Sequence, residues 1–147
     1  MSSSRVIATI GTTPYTTAIS TGDGHRITAD EPASAGGADA GANPYELLLA
    51  SLGACKTITL RMYADRKGWP LDGVSVELTQ QRVHAEDCDD CENTKGIVHL
   101  IECRLTLMGE LTPEQRTRLL EMADRCPVHR TLSGEINIRS ALAEAPA

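Results

Sequence analysis

Between Asn43 and Gly68 the chain carries a helix signal that is apolar almost all the way round. Asn43 stands as the N-cap, Pro44 as the first helical residue and Glu46 three residues beyond the cap, a variant of the capping box. From Leu47 to Ala54 only Ser51 and Gly53 interrupt the apolar run, which continues through Cys55, Ile58, Leu60 and Met62. It turns polar at Asp65, Arg66 and Lys67 and stops at Gly68. At 1.5 Å per residue such a helix reaches about 36 Å. A helix without a polar face belongs in the middle of a fold. The expectation is therefore an α+β domain organised around one long buried helix.

The flanking segments supply the strands. Arg5 to Ile10, Tyr15 to Ser20 and His25 to Ala29 read as short strands, with Gly22, Asp23 and Gly24 as a turn. Residues 30–42 are rich in Ala, Gly, Asp and Ser and read as a loop. Val74 to Val83 and Ile97 to Met108 alternate as strands do, the second with Ile97, His99, Ile101, Cys103, Leu105 and Leu107 on one face. Thr112, Pro113, Glu114 and Gln115 open a second helix, with Leu119, Leu120, Ala123 and Cys126 as its apolar face. Pro127 interrupts it, Val128 to Leu132 suggests one more turn, and Glu135 to Ser140 suggests a closing strand. No repeat or linker divides residues 1–147, so the expectation is one domain.

The composition narrows the function classes. Phe is absent and Trp69, Tyr15, Tyr45 and Tyr63 are the only aromatics, so a core of Leu, Ile, Val, Ala and Met is expected. The net charge of -6 repels phosphate backbones, and four aromatics leave little to stack on bases; nucleic-acid binding is disfavoured. No apolar run suits a bilayer, and the start Met1 to Arg5 lacks the apolar stretch of a secretory signal. A cytoplasmic protein is expected.

Five cysteines, at 55, 88, 91, 103 and 126, do not form the pattern of a secreted disulfide framework. Cys55 lies deep in the apolar helix beside Gly53 and Ala54, whose small side chains permit close approach of another segment. Read alone, it is either a buried small hydrophobe or a protected nucleophile. Cys126 precedes Pro127 at a helix boundary; read alone, it is either a core cysteine or a thiolate stabilised by the helix start, to which His129 and Arg130 would add positive charge. Two such thiols suit peroxide chemistry: one attacks the O–O bond and the other condenses with the resulting sulfenic acid. Cys88 and Cys91, with His84 upstream, read mainly as part of an exposed acidic loop. Half a zinc site is the less favoured alternative and a redox pair is blunted by the adjacent acids. Cys103 reads as packing within a strand. No metal or cofactor is called for.

The stretch Asn43-Pro44-Tyr45-Glu46-Leu47 through Gly53-Ala54-Cys55, followed by Ala123-Asp124-Arg125-Cys126-Pro127-Val128-His129-Arg130-Thr131-Leu132, resembles the OsmC/Ohr family of osmotically inducible and organic-hydroperoxide-resistance proteins. The resemblance covers nearly the whole chain. It implies an intertwined homodimer in which the long buried central helices pack against antiparallel sheets, with active sites at the subunit interface, Cys55 as the peroxidatic thiol and Cys126 as the resolving one. It further implies organic hydroperoxides or hydrogen peroxide as substrate, and a dithiol such as dihydrolipoamide as reductant. In the hydroperoxide-resistance branch an arginine and a glutamate directly after Asn-Pro hold the thiolate; here Tyr45 follows Pro44 and the acid is Glu46. Nine residues before Cys55, Glu46 lies about 180° round and about 13.5 Å along the helix, so it is a cap or, with an arginine, a catalytic partner. Arg26, Arg61 and Arg130 are the candidate cations, Arg26 being preferred. A non-catalytic dimer that binds a lipid-like or small thiol ligand is the alternative function.

Overall fold

The computed structural model describes residues 3–144, which divide into two compact units, one up to Ala50 and one from Ser51 onward. The first unit holds β1 (Val6–Ile10), β2 (Thr17–Thr21) and β3 (Arg26–Ala29), an antiparallel sheet in the order β1-β2-β3. In its register Ala8 faces Ile19 and Ile19 faces Ile27.

The loop after β3 is pinned rather than loose. Asp30 is buried, and its carboxylate accepts hydrogen bonds from the Thr16 hydroxyl at 2.9 Å, the Glu31 N–H at 2.8 Å and the Ala40 N–H at 3.2 Å. Burial pushes this carboxyl up, but the donors from Glu31, Thr16, Ala40 and Ala38 outweigh it and hold it below the ordinary range. The chain then returns to β3 through a parallel bridge between Ala29 and Ala42. Gly41 packs so closely on the Thr28 carbonyl that no Cβ fits between them.

Helix α1 (Pro44–Lys67) runs through the boundary between the units. Its cap is reciprocal: the Glu46 N–H donates to Asn43 Oδ1 at 2.8 Å and the Asn43 N–H donates to Glu46 Oε1 at 3.1 Å. Gly68, at φ +69°, ends it, its N–H donating to the Asp65 carbonyl. The helix is buried along a stripe, not all round. Leu52, Gly53, Lys56, Leu60, Tyr63 and Ala64 are buried, whereas Ile58 and Met62 on the other side are exposed.

The second unit builds its core on that stripe. β4 (Gly73–His84) and β5 (Ile97–Met108) form an antiparallel hairpin in which Leu78 faces Cys103. Gly53 lets the Leu78 side chain approach α1, the close packing expected of a small residue there. α2 (Pro113–Ala123) starts at Thr112 with a complete capping box, and α3 (Pro127–Ser133) follows. Leu60, Tyr63, Ala64, Leu71, Leu119 and Ala123 form the core, with Trp69, Val74, Leu105, Leu107, Leu111 and Met122 packed on it. Full burial of a Leu such as Leu60 or Leu119 contributes roughly 1.5–3 kcal/mol.

Four readings need correction. Leu120 is exposed, because it lies 100° round the helix from the buried Leu119, and Cys126 falls beyond the end of α2. The core is not purely aliphatic, since Tyr63 is buried and meets Trp69 edge-on with ring centroids 5.4 Å apart. Ile97 and His99 are exposed although Cys103, Leu105 and Leu107 on the same face are half-buried, because the covered face switches between Leu100 and Ile101 and Val98 and Leu100 are half-buried instead. Residues 135–140 form no strand: alternation supplies a face but no pairing partner, and Ile136 and Ile138 remain exposed. Among the described residues no helix is long and apolar enough to cross a membrane.

Candidate thiol site

The chain turns sharply at residues 124–126, and this turn brings Cys126 to Cys55. Asp124 closes α2, and Cys126 adopts an extended conformation (φ -65°, ψ 143°) as N-cap of α3, with Pro127 at the first helical position. The freed amides of α3 turn toward sulfur. The Val128 N–H donates to Cys55 Sγ and the His129 N–H to Cys126 Sγ, both at 3.4 Å. Two thiols separated by most of the second unit's sequence thus accept from consecutive amides.

Cys126 is fully buried and Cys55 is half-buried. Burial pushes the Cys126 thiol up, and hydrogen bonding to Cys55 and repulsion from it add to this. The His129 N–H and the charge of Lys56 pull the other way without reversing the shift. The stabilised Cys126 thiolate expected from its place at a helix start is therefore not found: the amide bond forms, but desolvation outweighs it.

Behind the thiols lies a residue the sequence reading passed over. Lys56 is 1% exposed, within the most apolar part of α1. Its ammonium donates to the Ala123 carbonyl at 3.0 Å, to Asp124 Oδ1 at 3.3 Å and to His129 Nδ1 at 2.9 Å. Three N–H donors thus meet three acceptors, which is how a buried cation is tolerated. An ammonium cannot accept, so the contact to His129 requires Nδ1 to be the acceptor and places that ring's proton on Nε2. Asp124 is 68% exposed, so this ion pair is screened and weak, and the backbone carbonyl and imidazole matter more to the cation's burial. A lone lysine inside an apolar helical run, next to a cysteine, was the available signal.

The other candidates stand elsewhere. Glu46 is engaged in the Asn43 cap. Arg26 is exposed on β3 and lines an open cleft of the first sheet with Ile7, Ile19 and Thr28. Arg61 donates to Asp65 and to the Leu71 carbonyl, which fixes it on its own stretch of helix surface. Arg130 is exposed in α3. Cys103 is half-buried; burial pushes its thiol up, partly offset by the charge of Lys56. It helps line a cavity of about 290 Å³ with Leu52, Leu100, Ile101, His129 and Leu132. Cys88 and Cys91 form a disulfide on the hairpin loop, so neither is a free thiol of the acidic loop. Only with that disulfide opened would they and Asp90, the one cluster of close ligand atoms among the described residues, suit a metal ion.

Among curated proteins none matches this chain. Solved structures do. An OsmC-like protein from Mycoplasma pneumoniae superposes with a TM-score of 0.71 at 19% identity, covering 90% of this chain and 89% of that one. A putative osmotic stress induced and detoxification response protein from Psychrobacter arcticus 273-4 gives 0.67 at 20% identity, over 89% and 88%. An organic hydroperoxide resistance protein OsmC from Legionella pneumophila gives 0.65 at 20% identity, over 91% of each chain. At these identities the likeness establishes the fold. The family model described as OsmC-like protein matches residues 36–141, a span that includes α1, both thiols and Lys56, and the chain belongs to that family.

Proposed function

We propose that this chain is a thiol-dependent hydroperoxide reductase acting in peroxide defence. The observation that carries the reading is the meeting of Cys55 and Cys126 at consecutive amides of α3, with the Lys56 ammonium behind them. The fold likeness to a protein described as an organic hydroperoxide resistance protein supports the substrate class.

Each residue has a task in the reaction. Cys55, as thiolate, attacks one oxygen of the peroxide; the O–O bond breaks, Cys55 becomes a sulfenic acid, and the alkoxide leaves as the alcohol by taking up the proton that Cys55 released on ionising. The Val128 N–H, which donates to Cys55 Sγ, orients that sulfur for attack. Cys126, kept protonated by burial, does not compete for peroxide; its sulfur then displaces hydroxide from the sulfenic acid, giving water and a Cys55–Cys126 disulfide. A dithiol such as dihydrolipoamide returns two electrons and two protons. Lys56 takes the place of the expected arginine as the nearby cation, while Arg26 and Glu46 remain candidates for substrate positioning. A cycle that restores free thiols suits a reducing compartment such as the cytoplasm. The exposed Ile58 and Met62 on α1, with the unpaired tail carrying Ile136 and Ile138, favour a homodimer.

The test is peroxide turnover with dihydrolipoamide. Cys55→Ser should abolish it, and Cys126→Ser should accumulate a sulfenic acid at Cys55 without a disulfide. Full activity in Cys55→Ser would end the proposal. A second reading, a ligand-binding module, is favoured by the cavity of about 290 Å³ beside His129 and Cys103. It requires a co-purified ligand in native mass spectrometry and an unchanged protein mass after one equivalent of cumene hydroperoxide.

A further inference from the structure

The hairpin loop between β4 and β5 carries a sulfur pair that the peroxide chemistry leaves unused. Cys88 and Cys91 are bonded to each other, their Cα atoms 5.5 Å apart, across a ring of only four residues. So short a ring removes little freedom from the unfolded chain, which weakens a purely structural role. Both cysteines are half-buried and stand among exposed residues, so the pair lies at the surface. At the base of the same loop, His84, Glu86, Thr94, Lys95, Gly96 and Ile97 line a cavity of about 380 Å³, room for a small dithiol.

The loop lies apart from the thiol site. Ile97, where β5 begins, is six residues along the strand from Cys103, the strand cysteine that feels Lys56, or about 20 Å. Direct exchange between the two sulfur pairs of one chain is therefore not the loop's role. Its surroundings are strongly acidic: Glu86, Asp87, Asp89, Asp90 and Glu92 flank the ring, against Lys95. Asp90 Oδ1 lies 3.4 Å from Cys88 Sγ, placed to accept the Cys88 S–H once the ring opens.

We propose that Cys88–Cys91 is a second thiol–disulfide exchange centre, which takes electrons from neutral or cationic dithiols and discriminates against anionic ones. A thiolate of the external dithiol attacks Cys91 Sγ; the Cys88–Cys91 bond breaks and Cys88 leaves, taking a proton. The second thiol of the reductant then attacks its own sulfur in the mixed disulfide and releases Cys91. The reductant departs as a cyclic disulfide, having given two electrons, and its two thiol protons balance those on Cys88 and Cys91. The acids oppose approach of a thiolate that carries a further negative charge, and salt weakens that opposition.

The experiment uses the full chain with Cys55→Ser and Cys126→Ser, so that its outcome does not depend on peroxide reduction. Dihydrolipoamide, which is neutral, and dihydrolipoate, which is anionic, are compared by alkylation and peptide mass mapping of residues 85–96. The expected result is reversible two-electron exchange at Cys88 and Cys91, about tenfold faster with dihydrolipoamide at low salt. That ratio should shrink toward unity at 1 M salt, where screening acts within about 3 Å. The same mapping on the unsubstituted chain distinguishes the loop peptide should the double variant fail to fold. A pair that stays oxidised under excess dithiol in the folded protein, equal rates at low salt, or thiols shielded by a bound zinc ion would each overturn the proposal.

Discussion

Lys56 Nζ donates to His129 Nδ1 across 2.9 Å, tying the residue after Cys55 to the third residue after Cys126. The buried cation therefore holds together the two segments that carry the thiols. Its other partners, the Ala123 carbonyl and Asp124, sit where α2 ends.

Lys56→Met should test both roles. The buried Ala123 carbonyl and the half-buried His129 Nδ1 lose their donor, which costs about 1–3 kcal/mol. The loss of the positive charge should slow the reaction of Cys55 with peroxide by about tenfold or more. Urea unfolding and stopped-flow peroxide consumption measure the two effects. A variant as stable and as fast as the parent would show that Lys56 serves neither role.

Alkaline pH should destabilise the reduced protein through Cys126 and Cys103. Both hold their protons above the ordinary thiol range when folded, burial being the leading cause. Below about pH 8.5 both states are protonated and this contribution is complete. Above it the unfolded thiols ionise first, and stability falls by up to about 1.4 kcal/mol per pH unit per group until the folded pKa is passed. Urea midpoints between about pH 7 and pH 10 should show that decline. Cys126→Ala and Cys103→Ala should each flatten it; slopes unchanged in both would refute the assignment.

Acid should loosen the loop after β3. Asp30 has a lowered carboxyl pKa, so its contribution is present above the ordinary value of about 3.9 and disappears as pH falls through the folded value. Amide exchange in residues 31–42 should rise over that window in the parent. In Asp30→Asn it should already be raised at neutral pH and should change less with acid. Parallel behaviour of the two proteins would remove Asp30 from the account.

Gly41→Ala should destabilise by about 1–3 kcal/mol, because the new methyl overlaps the Thr28 carbonyl and the backbone has to move. Gly11→Ala is the control: nothing lies within 4 Å of its added Cβ. Thermal melts of the pair decide the matter, and equal melting temperatures would contradict the close approach of loop and strand.

Elements with a local cause were legible. The bounds of α1 follow from a cap, a first-turn proline and a terminating glycine, all within a few residues of where they act. Thr112 and Gln115 opened α2 for the same reason. The closing strand was misread because a strand is completed by a partner elsewhere, and alternation at residues 135–140 shows only half of that requirement. Leu120 was misread because a broad apolar face does not tell which of two neighbours faces the core.

The linear order of residues by itself determined the secondary structure around the site, the two thiols worth watching and the family they resemble. It could do so because caps, breakers and motif spacings act over a few residues. Only the tertiary structure decided that the amides of Val128 and His129 reach the two sulfurs, that Lys56 is buried with all three donors used, and that Cys88 bonds to Cys91. Each of these depends on desolvation and on contacts made by folding, and a buried lysine or a raised thiol pKa is a property of the surroundings rather than of the residue.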